Sequence, residues 1–261
     1  PTGSAPWQNP NAAAVADFNG DGKLDAIIGD SSVTIRILLG NGDATFSRRD
    51  VNVGPITTSN VVDLNPGFYS ALPHYVDGVW GGKVADLNGD GRPDLVFPMG
   101  VHLNFAPLNG VSVMLNTGND INGTPMFDTY HYFLPVSDIR SMTAGDLNGD
   151  GRQDFIFGGA YAQVQIYLSN ADGTLSRGQS TGLLPGLGGP SVGGGAVADV
   201  NGDGKNDFIV ASNQNGATDV FLGNGDGTLQ TPTYISRVDS INVAIADMNH
   251  DNKLDLIEGY V

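Results

Sequence analysis

Several residue types are scarce or absent in this chain of 261 residues. It contains no cysteine, which excludes a disulfide framework and a cysteine-based zinc site. Lys and Arg together number only 12, and this excludes a basic nucleic-acid-binding protein, because phosphate recognition needs clustered cations. No apolar run approaches the roughly 18–20 residues that a membrane-spanning helix requires, so no transmembrane segment is predicted.

Glutamate is also nearly missing. Glu258 is the only one, so the other 27 of the 28 acidic residues are aspartates, and the formal net charge is −16. Aspartate favours caps, turns and metal-binding loops, whereas glutamate and lysine favour helices. Because 40% of the residues are hydrophobic, the chain is not a disordered acidic tail. The excess of aspartate therefore has to be explained within a folded protein.

One nonapeptide occurs five times in the chain. The copies read DFNGDGKLD, DLNGDGRPD, DLNGDGRQD, DVNGDGKND and DMNHDNKLD, and they begin at Asp17, Asp86, Asp146, Asp199 and Asp247. Their first aspartates are 69, 60, 53 and 48 residues apart. Such periods are typical of an architecture in which each repeat forms one small sheet.

The surroundings of the nonapeptide repeat as well. A short apolar stretch precedes each copy and a compact apolar run follows it, as in 12–16 and 26–28, and both indicate buried strands. A third strand then leads into a turn rich in Asn and Gly, such as Gly40–Asp43, and a fourth strand begins at Phe46, Phe127, Leu175 or Leu229. Each repeat is therefore predicted to form four antiparallel strands.

Four-stranded repeats of this length are typical of a β-propeller. The run from Asp199 to Asp207, followed by FLGNGDGTL at Phe221–Leu229, resembles the FG-GAP/VCBS repeat family, and the resemblance extends from about Ala12 to the end. It implies a calcium-binding propeller with blades similar to those of the integrin α-subunit head. We therefore predict an all-β fold, a β-propeller of four-stranded antiparallel blades with four complete repeats and an incomplete fifth.

The predicted organisation starts with an N-terminal segment, 1–11, followed by propeller repeats over 12–261. The repeats are placed at about 12–53, 81–134, 141–182, 194–236 and, in part, 241–261, with an insertion at 54–80. The fifth repeat stops after its second strand, so these residues alone would leave a ring open. Two alternatives would complete it: further C-terminal repeats beyond Val261, or a neighbouring chain that covers the open edge.

The nonapeptide has the pattern of a calcium loop. Ca²⁺ prefers six to eight oxygen ligands, and side chains at positions 1, 3 and 5 of a tight loop, the carbonyl at position 7 and the carboxylate at position 9 supply such oxygens. Up to five Ca²⁺ ions are predicted. The ligand sets are Asp17, Asn19, Asp21, Lys23 and Asp25; Asp86, Asn88, Asp90, Arg92 and Asp94; Asp146, Asn148, Asp150, Arg152 and Asp154; Asp199, Asn201, Asp203, Lys205 and Asp207; and Asp247, Asn249, Asp251, Lys253 and Asp255.

Details of the loop refine this prediction. Gly at position 6 permits a positive φ, and the fifth copy, with His250 and Asn252 at positions 4 and 6, is expected to bind more weakly. Position 12 is apolar in four copies, which excludes an EF-hand, and Glu258 in the fifth copy is then a strand residue. The basic residue at position 7 either softens the charge of its own loop or belongs to a basic surface for a partner. A metal-free turn is the alternative to calcium for any single copy.

The insertion contains the candidate ligand-binding residues. Long loops on rigid scaffolds tend to carry binding residues, and this one could present an aromatic platform for a sugar or a partner protein. The candidates are Phe68, Tyr69, His74, Tyr75 and Trp80. The alternative is that these side chains fill space beside a neighbouring blade.

The sequence favours a non-enzymatic role, because its four histidines and its aspartates outside the loops form no recognisable catalytic arrangement. The leading interpretation is a calcium-stabilised, extracellular or cell-surface β-propeller that serves as a binding or structural module of a larger protein, with a protein or glycan partner. The alternatives are a carbohydrate-binding lectin that uses the loop aromatics, and a polysaccharide-active hydrolase or lyase with paired carboxylates.

Overall fold

The computed structural model describes residues 12–29, 34–52, 61–62, 75–79, 82–103, 106–134, 139, 141–159, 164–181, 192–212, 217–236 and 240–260. Every regular element in these ranges is a β-strand. The strands fall into two compact units, Pro1–Pro135 with Asp172–Thr174, and Val136–Ala171 with Leu175–Val261.

The first unit contains two sheets. In sheet 1 four antiparallel strands pair in chain order: β1 (Ala12–Ala16), β2 (Asp25–Gly29), β3 (Thr34–Gly40) and β4 (Phe46–Asn52). Sheet 2 has six strands: β5 (Val61–Val62), β6 (Tyr75–Val79), β7 (Lys83–Ala85), β8 (Asp94–Leu103), β9 (Ala106–Asn119) and β10 (Pro125–Leu134). Strands β7 to β10 form the repeated four-stranded pattern, and the insertion adds β5, which is parallel to β10, and β6, which is antiparallel to β8.

The second unit contains three sheets, and their strands also pair in chain order. Sheet 3 consists of β11 (Ser141–Gly145), β12 (Asp154–Gly158), β13 (Val164–Ser169) and β14 (Leu175–Thr181). Sheet 4 consists of β15 (Val192–Ala198), β16 (Asp207–Ser212), β17 (Ala217–Phe221) and β18 (Thr233–Ser236). Sheet 5 has two strands: β19 (Ser240–Ala246) and β20 (Asp255–Tyr260).

The predicted all-β architecture of four-stranded antiparallel blades, with an incomplete fifth, is confirmed. Glu258 lies in β20, as expected for a strand residue. Two strand starts differ: β10 begins at Pro125, not at Phe127, and the last strand of sheet 4 begins at Thr233, not at Leu229. Leu229 forms only an isolated bridge with Gly223, because its N–H donates to the Gln179 side chain 2.7 Å away instead of continuing a ladder.

The cores lie between successive sheets within each unit. Side chains alternate between the two faces of a strand, so one strand contributes to the cores on both of its sides. In the first unit, Ile27 and Ile37 of sheet 1 pack with Phe97 of sheet 2. In the second unit, Ile166 of sheet 3 packs with Phe221 of sheet 4, while Ile209, from the opposite face of sheet 4, packs against sheet 5.

Strand β17 carries an unusual buried carboxylate. The Asp219 side chain is 1% exposed, and neither of its oxygens has a hydrogen-bond partner among the residues that the structure describes. The neighbouring Thr218 lies on the face toward sheet 5, where its hydroxyl donates to Glu258. Asp219 lies on the opposite face together with Phe221, which packs in the core toward sheet 3. Desolvation on burial raises the pKa of Asp219 to about 6. The ionised carboxylate therefore destabilises the fold at neutral pH.

Replacement of Asp219 by Asn should stabilise the protein at pH 7.5 by about 1–2 kcal/mol, because it removes an uncompensated buried charge. The folded-state pKa lies above the unfolded value of 3.8, so the cost of ionisation is absent below pH 4 and fully developed above about pH 6. The difference in unfolding free energy between D219N and the original chain should thus appear between these two pH values in urea titrations. Asp128→Asn, at an exposed aspartate of β10, controls for the change in net charge. Equal stabilities at pH 7.5 would contradict the assignment.

Candidate metal-binding loops

Each nonapeptide connects the first two strands of its repeat: β1 to β2, β7 to β8, β11 to β12, β15 to β16 and β19 to β20. The predicted positive φ at position 6 is confirmed, and position 4 has one too, as at Gly20 (72°) and Gly22 (81°) of the first loop. In the fifth loop His250 and Asn252 adopt φ values of 60° and 63°. A side chain with a Cβ is disfavoured in this region, so the fifth loop is the most strained of the five.

The carboxylate at position 1 organises the turn. Asp17 accepts the N–H groups of Asp21 at 3.0 Å and Gly22 at 2.8 Å, and the equivalent aspartate does the same in the other four loops. Hydrogen bonds to the charged form favour ionisation. The N–H of Gly204, with those of the neighbouring residues, accordingly lowers the pKa of Asp199.

Positions 3 and 5 lie over the same turn. Asn19 Oδ1 accepts the N–H of Asp21 at 3.0 Å, and Asp21 Oδ1 accepts the N–H of Lys23 at 2.9 Å. In the other four loops the amide at position 3 also donates to the carboxylate at position 5, as Asn88 does to Asp90 at 3.0 Å. Positions 1, 3 and 5 are thus gathered on one short, largely exposed turn.

The basic residue at position 7 pairs with its own loop. The Arg92 guanidinium lies 2.5 Å from Asp90 Oδ2 through Nη2, and its Nε donates to the carbonyl of Asn116 at 2.8 Å. Arg152 makes the equivalent contacts in the third loop, and Lys23 Nζ lies 3.7 Å from Asp21. Of the two interpretations of position 7, these contacts favour the one in which the basic residue offsets the negative charge of its own loop, and not the one in which it forms a basic surface for a partner.

The carboxylate at position 9 is turned into the sheet. Asp25 is fully buried; its Oδ2 accepts the N–H groups of Phe18 at 3.0 Å and Asn19 at 3.3 Å, and its Oδ1 accepts that of Gly40 at 2.9 Å. The same link between position 2 and the end of the third strand recurs in loops 2 to 4. Burial raises the pKa of Asp94 and Asp154, and the two N–H donors to each carboxylate oppose that shift.

The loops fit a hard divalent cation by the chemistry of their donors. Across the described part of the chain, no three Asp, Glu or His side chains form a metal-binding group as they stand. The loop carboxylates accept backbone N–H groups, but an ionised carboxylate offers about four lone-pair sites, so a cation can share them. The oxygens at positions 1, 3, 5 and 9 and the carbonyl at position 7 are all of the type that Ca²⁺ prefers.

The aromatic candidates of the insertion stay a prediction. Phe68, Tyr69, His74 and Trp80 lie outside the described residues. Tyr75 begins β6, where the structure describes its backbone pairing with His102.

Sequence reasoning missed a polar groove beside the first loop. The groove has a volume of about 370 Å³, and its lining includes Asn19 and Lys23 of that loop, Arg49 of β4 and Asn119 at the end of β9. The first loop, Arg49 and Asn119 are far apart in the sequence, and together they form no motif. The available signal is the greater length of the hairpin between β9 and β10 compared with its counterparts.

The chain is similar to one protein of known sequence and to several solved structures. Cartilage acidic protein 1 of Xenopus tropicalis is 25% identical over 278 residues, which cover 98% of this chain and 41% of that protein. Among solved structures, a lectin of Agrocybe aegerita, described as recognising non-reducing terminal N-acetylglucosamine, aligns with a TM-score of 0.41 at 18% identity, covering 97% of this chain and 75% of the lectin. The Tc holotoxin pore of Photorhabdus luminescens aligns with a TM-score of 0.38 at 18% identity, covering 98% and 11% of the two chains.

In the described residues, no helix is long and apolar enough to cross a membrane. The family model for the FG-GAP-like repeat matches residues 17–97, 146–210 and 199–257, which together make up more than half of the chain. These matches include all five nonapeptides. The chain belongs to the FG-GAP-like repeat family.

Proposed function

We propose that this chain is a calcium-stabilised β-propeller module of an extracellular or cell-surface protein, with a binding or structural role toward a protein or glycan partner. The observation that carries the proposal is the fivefold recurrence of one loop that gathers two carboxylates and an amide oxygen on an exposed turn and anchors a third carboxylate beneath it. A single acidic turn would carry little weight, but five equivalent turns concentrate 15 of the 27 aspartates.

Charge supports calcium as the group that these loops take up. Five Ca²⁺ ions would add ten positive charges to a chain of net charge −16 and leave about −6, which is ordinary for a soluble protein. The all-oxygen donor set suits a hard cation and fits Zn²⁺ or Cu²⁺ poorly. When bound, the ion would supply a stabilising link among the loop oxygens, and the loop residues themselves would hold the turn in shape through their backbone N–H contacts.

An extracellular setting follows from the expected affinity. Loops of this kind suit the millimolar calcium found outside cells, because extracellular calcium modules commonly bind weakly. The relative in Xenopus tropicalis is named for cartilage and for its acidity, and the present chain shares the acidity. Because the chain spans 41% of that relative, a role as one module of a larger protein is part of the proposal.

Removal of calcium should lower the melting temperature. At a tenfold excess over Kd each site contributes about 1.4 kcal/mol by mass action, and five independent sites about 7 kcal/mol. For a chain of this size that corresponds to a shift of at least about 10 °C. Differential scanning calorimetry in millimolar calcium and in EGTA would measure it, with millimolar magnesium as a second arm. A shift of less than two degrees on chelation would rule the proposal out.

Replacement of Asp203 by Asn should remove one calcium ion from the chain. Asp203 is at position 5 of the fourth loop, and the substitution keeps its shape and an acceptor oxygen while it removes the charge. Equilibrium dialysis with ⁴⁵Ca²⁺ should then give a stoichiometry lower by one than that of the original chain. The matched control is Asp226→Asn in the hairpin that precedes β18, where the carboxylate accepts from Thr228 and lies outside the nonapeptides. An unchanged stoichiometry in D203N, or an equal loss in D226N, would contradict the assignment of the site.

A further inference from the structure

The groove beside the first loop is shaped by an extra segment in one hairpin. In sheet 1 the turn after β3 closes with a bond from Asn41 N–H to the Thr45 carbonyl, and in sheet 2 the equivalent bond joins Asp120 to Thr124. In both repeats, one residue near the end of the third strand donates its N–H to the buried aspartate: Gly40 in sheet 1 and Asn116 in sheet 2. The turn follows Gly40 directly, but three additional residues, 117–119, separate Asn116 from the turn in sheet 2. They end β9, and Gly118 within them has a φ of 100°.

The longer hairpin is fastened to the first loop by side-chain amides. Asn116 Nδ2 donates to the carbonyl of Phe18 at 2.8 Å, and Asn119 Nδ2 donates to that of Asn19 at 2.7 Å. The contact between hairpin and loop is therefore held at two points. The groove of about 370 Å³ lies beside it, within the usual size range of small-ligand sites.

Several polar groups that line the groove retain unused hydrogen-bonding capacity. Asn19 Nδ2 has no acceptor among the described contacts, unlike the equivalent amides of the other four loops. Asn119 Oδ1 has no donor there, and the one acceptor of the Arg49 guanidinium among the described residues is the Arg48 carbonyl, at 3.1 Å. Amide and guanidinium groups in this arrangement can hydrogen-bond to hydroxyl groups, which both donate and accept.

The charges around the groove select against a strongly anionic ligand. Lys23 and Arg49 line it, but Asp21 lies 3.7 Å from Lys23 Nζ, and the net charge of the chain is −16 without calcium and would still be about −6 with five Ca²⁺ bound. A polyanion would be repelled by this field, while a neutral ligand rich in hydroxyls would not.

We propose that this groove, lined by Asn19, Arg49 and Asn119, binds a neutral saccharide no larger than a short oligosaccharide. The inference rests on the proposed function, because Asn19 and Asp21 are also expected calcium ligands, so calcium would fix the groove wall. It places the sugar site on the first two sheets, and its residues are not the aromatic candidates named from the insertion.

The test uses the whole 261-residue chain in millimolar calcium on an array of neutral oligosaccharides, with sialylated, sulfated and uronic-acid glycans as a second arm. The strongest neutral ligand is then titrated calorimetrically against the original chain, Arg49→Ala and Arg48→Ala. We expect R49A to weaken binding at least tenfold and R48A to change it less than twofold. Arg48 is exposed on the same strand, precedes Arg49 directly and does not line the groove, so the two variants lose the same charge.

A second variant, Asn119→Ala, should also weaken binding, and its calcium-dependent melting shift checks that the fold is intact. Absence of neutral glycan binding by a calcium-stabilised chain would overturn this inference and leave the proposed function standing. Binding to acidic glycans alone would overturn the ligand class, and full binding by R49A would overturn the site. Absence of any melting shift with calcium would instead overturn the proposed function.

Discussion

The buried carboxylate at position 9 of the first four loops is the contact on which each of these four blades depends. In the first repeat Asp25 receives N–H groups from Phe18, Asn19 and Gly40, so one side chain joins the start of the loop to the end of the third strand. An unpaired buried N–H would cost about 1–3 kcal/mol. Asparagine has only one acceptor oxygen for donors that arrive from two sides, and glutamate is one methylene longer in a fully buried position. These constraints account for aspartate here.

The other two aspartates of each loop have a different role. They are more exposed, and their charge is offset locally by backbone N–H groups and by the basic residue at position 7, as in the pair formed by Arg92 and Asp90. One loop therefore contains a carboxylate that holds the sheet together and two that lie on the exposed turn. Because the anchoring carboxylate also ties the loop to the third strand, any ion bound on the turn would be coupled mechanically to the blade.

The repeats, their strands and their loops could be predicted because short-range patterns determine them: Gly at positions with positive φ, apolar runs bounded by Asp and Gly, and a fixed nonapeptide. Asp219 could not, since ATDVF reads as an ordinary strand, and only the packing of sheet 3 against sheet 4 shows that this carboxylate is buried with no partner in the described part of the chain. The groove was missed for the same reason. The effect of residues 117–119 depends on what lies beside their hairpin, which the sequence does not state.

The first and third loops differ in the donor that satisfies the carbonyl at position 2, and this difference allows one repeat to form a groove without losing its anchor. In the third repeat the carbonyl at position 2, of Leu147, accepts the backbone N–H of Gly227 from a short hairpin at 3.1 Å. In the first repeat the equivalent carbonyl, of Phe18, accepts a side-chain amide, Asn116 Nδ2. The amide replaces the backbone donor where the hairpin is longer, so the carbonyl remains satisfied while space opens beside it. Variation in hairpin length can thus create a binding groove at little cost to the buried hydrogen bonds that define the blade.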